Sequence, residues 1–218
     1  MRNISYEVRE MVSIPEKTVK PLKYTSLDGL SEKQIGQHHD VLYAGYVKKT
    51  NEIRKALESV DIRTTNATFS SLRELKVEET FALNGVKLHE FYFDNLGGKA
   101  PEPAGTIAQW INEDFGSFST WAEEFKAEGT ASRGWVVMAL DLEEGRLHNF
   151  VCDIHNQGGI WAAVPVLVLD VYEHAYFLDY ATNRKAYLEA FMKNIKWEEA
   201  NDVIKRYHLD LFRKNRKA

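Results

Sequence analysis

The segment Gly97-Gly98-Lys99-Ala100-Pro101-Glu102-Pro103-Ala104-Gly105 places the tightest limit on how this chain folds. Proline removes a backbone donor and glycine carries the largest entropy cost in a regular element, so no helix or strand is expected to cross it. The patterns on its two sides differ. Upstream the apolar residues recur at helical spacing; downstream, short apolar and alternating runs interleave with helices. The chain is therefore read as α+β. An N-terminal α-helical hairpin domain over 1–99 precedes a C-terminal α/β domain over 100–218 with a small, about three-stranded, antiparallel sheet.

Upstream, residues 1–24 read as an irregular lead-in ending at Pro21-Leu22. Ser31 with Gln34 three residues on reads as a capping box. From there a helix runs toward Val60 on a stripe of Leu42, Tyr46, Ile53, Ala56 and Val60, with Gly36 and Gly45 marking close packing or a bend. A second helix over Thr65–Leu83, interrupted at Asn84-Gly85 and resumed over Val86–Leu96, pairs with the first as a hairpin. Downstream, Thr106–Phe115 and Phe118–Ala127 read as helices, the latter capped by Ser117 or Ser119. Gly134–Leu140 and Arg146–Asp153 form a strand hairpin around Asp141–Gly145. Pro165–Leu169 is a third strand, Lys185–Tyr207 a helix, and the basic tail Arg206–Ala218 a solvated helix end.

Composition enters chiefly as exclusion. With 218 residues, 44% of them hydrophobic, the chain can bury a core without disulfides or a structural metal, so a bound metal is expected to be functional. A net charge of −4 with no groove-reading motif argues against nucleic acid as a partner. The lone Cys152 excludes an intrachain disulfide and paired-cysteine motifs, and its place in the run Leu147–Cys152 marks a buried, inert thiol. No apolar leader and no membrane-length stretch is evident, so the expected location is cytoplasmic, without membrane contact.

Chemistry concentrates in a few of the seven histidines. His38 and His39 lie on the first helix, and His89 lies opposite on the second. His174 follows Asp170 by four residues at the end of an apolar strand. Imidazoles with a carboxylate form a mixed N/O donor set suited to Fe, Mn or Zn and poor for Ca or Mg. On the residues alone this is a His/Asp metal site with no reaction attached. A pair of surface histidines and a helix-capping Asp170–His174 pair would fit the same spacing.

The local strings go further. LDVYEHAYFLDY (169–180) resembles the signature of the iron/manganese superoxide dismutase family, Asp-x-Trp-Glu-His-Ala-Tyr. QHHDVLYAGYV (37–47) is similar to that family's first-ligand helix, and NGVKLHEFYFDNL (84–96) to its second. FGSFSTWAEEFKAEGTASRGWVVMAL (115–140) resembles the domain-joining stretch and YATNRKAYLEAFMKNIKWEEA (180–200) the terminal helices, so the likeness covers roughly residues 20–208.

Carried over by position, the resemblance implies one Fe or Mn ion per chain held by His38, His89, Asp170 and His174, with solvent as a fifth ligand. It implies superoxide as substrate, converted to dioxygen and hydrogen peroxide while the metal alternates between trivalent and divalent states. Tyr46 matches a tyrosine near the open position and Trp135 a tryptophan packed beside the metal. Glu173 matches a glutamate that reaches the partner subunit's ligand histidine in a homodimer or homotetramer.

Three departures stand out. Leu42 and Phe177 together replace a polar His/Tyr pair that spans the dimer, and losing both partners is cheaper than orphaning one. Phe93 and Tyr172 stand where tryptophan is usual. Gly85 removes one source of the glutamine that bonds the metal's solvent ligand. The other source lies about fifteen residues before the ligand aspartate, where His155 fits without a gap and Gln157 fits with a short deletion; His155 is favoured. A shift of one pKa unit at that solvent equals ~1.4 kcal/mol, or ~59 mV for one electron, so a single side chain can decide between Fe and Mn. Arg184 is a candidate for positive potential at the mouth, or for a purely structural role. A non-catalytic superoxide-dismutase-like metal-binding or interaction protein, and a hydrolase on the same fold, are the competing functions.

Overall fold

A computed structural model describes residues 14–99 and 102–214. Residues 1–13 of the expected lead-in, Ala100 and Pro101 of the breaker segment, and 215–218 of the tail lie outside the described residues. Among the described residues, no helix is long and apolar enough to cross a membrane.

Ser31 caps α1 (Glu32–Gly36) by accepting from the Gln34 N–H at 3.1 Å. The expected capping box is only half formed. The Gln34 side chain turns away to donate to the His174 carbonyl at 2.6 Å and to accept from the Leu178 N–H at 3.0 Å. Asp179 takes the Ser31 N–H instead. Tertiary partners thus displace the local one, and α1 is tied to the segment that carries the last metal-site residues.

The first long helix is not uniformly α. A π-helical stretch, Gln37–Tyr43, separates α1 from α2 (Ala44–Glu58) and turns His38, His39 and Tyr43 inward together. Wide turns of this kind cost hydrogen-bond geometry and gather at functional sites. They also rotate the face that follows. The buried line of α2 is Val47, Thr50 and Ile53, and Ala56 of the expected stripe is exposed.

The second helix, α3, is one unbroken 24-residue element, Ser71–Asp94, capped by Ser70. It starts later than expected because Asn66 holds a turn, its Oδ1 accepting the Thr68 and Phe69 N–H groups. Asn84-Gly85 does not interrupt it. Gly85 instead permits close crossing of α2, since a Cβ there would sit 2.8 Å from Cδ1 of Tyr46.

Helix α4 (Thr106–Phe115) matches expectation, and α5 (Phe118–Ala131) runs four residues longer, with Ser117 as its cap. Strands β1 (Trp135–Asp141), β2 (Arg146–Cys152) and β3 (Ala163–Asp170) form an antiparallel sheet in the order β2-β1-β3. Central β1 is buried from Trp135 through Leu140, and the register sets Trp135 beside both Cys152 and Asp170. After β3 come a 3₁₀ turn (Glu173–Ala175) and a short α6 (Phe177–Tyr180).

The expected Lys185–Tyr207 helix is two helices, α7 (Arg184–Lys193) and α8 (Trp197–Arg206). Between them Ile195 bridges Leu96, Lys196 N–H donates to the Asn95 carbonyl, and Gly98 N–H to that of Asn194. The end of α3 therefore breaks the tail helix by claiming its backbone groups. In α9 (Leu209–Lys214) Arg213 is not solvated as expected; it is half-buried, paired with Asp114 at 2.6 Å and stacked over Trp110. Both halves of the chain share one apolar core, in which Val86 and Tyr92 join Leu167, Leu169 and Phe191.

Candidate metal centre

Four elements deliver the candidate ligands. His38 comes from the π-helical stretch, His89 from α3, Asp170 from the end of β3 and His174 from the 3₁₀ turn. Asp170 and His174 thus meet across a strand-to-helix junction rather than along one helix. The four donor atoms lie within 4.8 Å of one another. Opposite ligands on one ion bound at about 2.1 Å span about 4 Å, so the cluster has the size of a coordination sphere.

The donor directions agree with that size. All three Nε2 atoms face Oδ2 of Asp170, those of His38 and His174 at 3.1 Å and that of His89 at 3.7 Å. The His89 Nδ1–H donates to the Gly85 carbonyl at 2.6 Å, which fixes the tautomer and leaves a lone pair on Nε2. That Nε2 is buried without a hydrogen-bond partner. A lone pair aimed at a carboxylate oxygen in a dry pocket is repulsive unless a cation lies between them. The residues fit a metal ion.

Electrostatics point the same way. Burial, followed by the neighbouring His38, pushes His89 down to about 3, so its imidazole is neutral and able to ligate. His38 is lowered, chiefly by burial. Burial opposes charge on Asp170, but His174 and then His38 hold its carboxyl well below the usual carboxylate range. Burial also opposes charge on His174, and Asp170 outweighs it to raise this group. Asp170 is further braced by the Tyr172 N–H on Oδ1 and by the Tyr187 hydroxyl on its carbonyl.

A second layer surrounds the cluster. Trp135 is fully buried and meets His89 edge-on, with centroids 5.0 Å apart. Its indole N–H donates to Nδ1 of His155 at 2.9 Å, and Nε2 of His155 lies 2.6 Å from the Tyr46 hydroxyl. An indole nitrogen only donates, so Nδ1 of His155 must accept and its single N–H sits on Nε2, facing Tyr46. Burial lowers His155 to about 4, which keeps it neutral. Burial, and next Asp170, raises Tyr46, which keeps its hydroxyl protonated.

Gln157 does not join this chain. Its side chain is exposed beyond the turn that presents His155, and its backbone N–H bonds Ile154. Glu173 is exposed with no partner among the described residues, next to exposed Phe177 and Leu178. Leu42 is half-buried. Phe93 packs edge-on against His38, and Tyr172 stacks on His174. Arg184 is tethered to the Tyr176 hydroxyl and the Ser132 carbonyl while lining, with Arg133, the open groove beside His174. Cys152 is a buried free thiol pushed up by burial to about 11, hence unreactive.

Sequence reasoning gave Gln34 a local capping role and missed its hold on residues 174–178; it also missed Tyr187, which braces Asp170, and Phe81, whose ring lies 4.5 Å from that of His155. Tyr187 and Phe81 carry no local signal, since each looks like an ordinary helix residue.

A family model described as iron/manganese superoxide dismutases, C-terminal domain, matches residues 103–203. The chain is 43% identical over 186 residues to a protein named superoxide dismutase [Fe] from Aquifex aeolicus, covering 83% of this chain and 87% of the relative. A superoxide dismutase [Fe] from Cupriavidus metallidurans is 41% identical over 187 residues, 84% of this chain and 93% of that one. A superoxide dismutase [Mn] from Haloferax volcanii is 34% identical over 182 residues, 82% and 89% respectively.

Proposed function

The chain belongs to the iron/manganese superoxide dismutase family, and on that premise we infer that it converts superoxide to dioxygen and hydrogen peroxide with one Fe or Mn ion. The observation that carries the reading is the orphaned, buried Nε2 of His89 facing Oδ2 of Asp170 beside two further imidazoles. His38, His89, Asp170 and His174 would hold the ion. When bound, it supplies the one-electron oxidation of one superoxide and reduction of the next.

The protein's own groups handle orientation and protons. Peroxide formation consumes two protons, and Tyr46 holds one at the edge of the pocket. His155 donates its only N–H to the Tyr46 oxygen, so the tyrosine's own O–H proton points away from His155. Trp135 fixes that direction by filling the other ring nitrogen. This relay, built against the four ligands, favours catalysis over a purely structural descendant. It also supports His155, rather than Gln157, as the polar group behind the reaction. A hydrolase would need a general base near the ion, and a raised tyrosine is a poor one.

The unpartnered Glu173 beside apolar Phe177 supports a homodimer across that face, as the first of the contacts that could build a tetramer. A cytoplasmic location and a division into units at 1–99 and 100–218 complete the reading. The test combines metal analysis with superoxide decay. The purified chain is expected to carry about one Fe or Mn and to accelerate decay, and Asp170→Ala to lose both metal and activity. Full metal retention in that variant would overturn the ligand assignment.

A further inference from the structure

Between the 3₁₀ turn and α6 the chain lacks one hydrogen bond that would make the two a single helix. The turn closes with the Ala175 N–H on the Tyr172 carbonyl and the Tyr176 N–H on that of Glu173, and α6 with the Tyr180 N–H on the Tyr176 carbonyl. The His174 carbonyl and the Leu178 N–H, the i to i+4 pair that would join them, do not meet. The carboxamide of Gln34 stands in the gap. Its Nε2 donates to the His174 carbonyl at 2.6 Å, and its Oε1 accepts the Leu178 N–H at 3.0 Å. Only one orientation of the amide satisfies both ends, and at 1% exposure no bulk water can take over from it. Tyr176, inside the gap, sits at φ −148°, outside the helical region.

We propose that Gln34 is a positioning residue for the metal: by taking both ends of a helical hydrogen bond it holds His174 on the 3₁₀ turn and so aims the imidazole, an inference that rests on His174 being a ligand. The two helix types advance side chains by about 120° and about 100° per residue, so merging the turn with α6 rotates the imidazole by roughly 20° for each residue merged. Asp170 does not follow, because it is fixed at the end of β3. A rotation of that size over several residues carries Nε2 of His174 off its 3.1 Å contact with Oδ2 of Asp170. Two neighbouring bonds hold the same segment but only beyond the gap. The Ser31 N–H donates to Oδ2 of Asp179 at 2.7 Å, and the Tyr180 hydroxyl to the Gly29 carbonyl at 2.6 Å. Of the three, Gln34 alone touches the backbone of a ligand. Methionine has its length without the amide, and the two backbone groups it leaves can pair with each other. Gln34→Met is therefore expected to fold, with the ligand displaced.

The experiment compares full-length wild type with Gln34→Met, Gln34→Asn and Tyr180→Phe. Asparagine keeps the amide but is one methylene too short to fill the gap, and Tyr180→Phe loosens the same contact without reaching His174. Three readings are taken: backbone ¹³Cα shifts at 174–176 in the metal-free proteins, manganese(II) affinity by chelator competition, and the rhombicity of the high-spin iron(III) EPR signal after iron loading. Gln34→Met is expected to move the ¹³Cα shifts toward α-helical values. Both Gln34 variants should weaken affinity about tenfold or more, the scale of lost outer-shell support, and change the rhombicity. Tyr180→Phe should lower the melting temperature and leave affinity and spectrum as they were. Wild-type affinity and spectrum in both Gln34 variants, at whatever melting temperature, overturn the proposal. An equal loss of affinity in Tyr180→Phe does so too, since the contact would then be a general brace. A wild type that takes up neither metal is a different result: it overturns the ligand assignment itself, and the role of Gln34 with it.

Discussion

Replacing Trp135 by phenylalanine tests the proton relay at its one directional element. The indole N–H is the only group that forces Nδ1 of His155 to accept, and through it the His155 N–H to face Tyr46. Trp135 is 0% exposed and His155 only 4%, so no bulk water replaces the lost donor. An orphaned buried acceptor costs about 1–3 kcal/mol. The smaller ring leaves a cavity of about 40 Å³, worth about 1 kcal/mol more. The sum, about 2–4 kcal/mol, corresponds to a fall in Tm of roughly 4–16 °C for a chain of this size.

Stability alone would not separate a relay from ordinary packing. Imidazole ¹⁵N shifts in the metal-free protein do. Wild-type His155 should be the neutral Nε2–H tautomer, and Trp135→Phe should give a mixture. In the metal-loaded variant, superoxide turnover should drop about tenfold or more, the scale of a misdirected general acid. A wild-type His155 protonated on Nδ1, or an unchanged tautomer in the variant, would refute the assigned direction.

Three further outcomes are expected. His155→Ala should depress superoxide turnover strongly while Gln157→Ala leaves it near wild type, and comparable losses would return Gln157 to the site. Gly98→Ala should cost more than about 3 kcal/mol, because its Cβ would lie 2.0 Å from the Ile195 carbonyl oxygen; a melting temperature within 2 °C of wild type, taking about 2–4 °C per kcal/mol, would contradict that close crossing. Burial, and then Glu124, raises half-buried Glu128 to about 7, with its Oε2 unpartnered. The folded state therefore binds the extra proton, and stability should fall as pH rises through about 5–7. After allowance for solvent screening, Glu128→Gln should gain about 1 kcal/mol at pH 8 and almost nothing at pH 4.5 by thermal melts, and an equal gain at both would refute the sign.

Much of the site was legible because its residues come in local strings. The spacing of Asp170 and His174, the run before them, and His89 on a helix are local facts. Leu42 and Phe177 were readable as departures for the same reason. His155 was favoured over Gln157 by spacing alone, and what separates them in space is the turn that buries one and leaves the other in water. The π-helical stretch was not legible, because its residues suit an α-helix and only the need to bury His38, His39 and Tyr43 together selects the wider turn. Nor was the break at Asn194–Lys196, where distant Asn95 and Gly98 take the backbone hydrogen bonds that would have continued the helix.

By itself the sequence determined which elements form and which donor types are available. Helical and strand periodicities, caps and breakers act between near neighbours, and ligand chemistry is a property of each side chain. The tertiary structure decided which donors share one pocket, which tautomers they adopt and which carboxylate stays charged. Those outcomes depend on burial and on partners many residues away along the chain, and they exist only once the helical hairpin closes over the sheet.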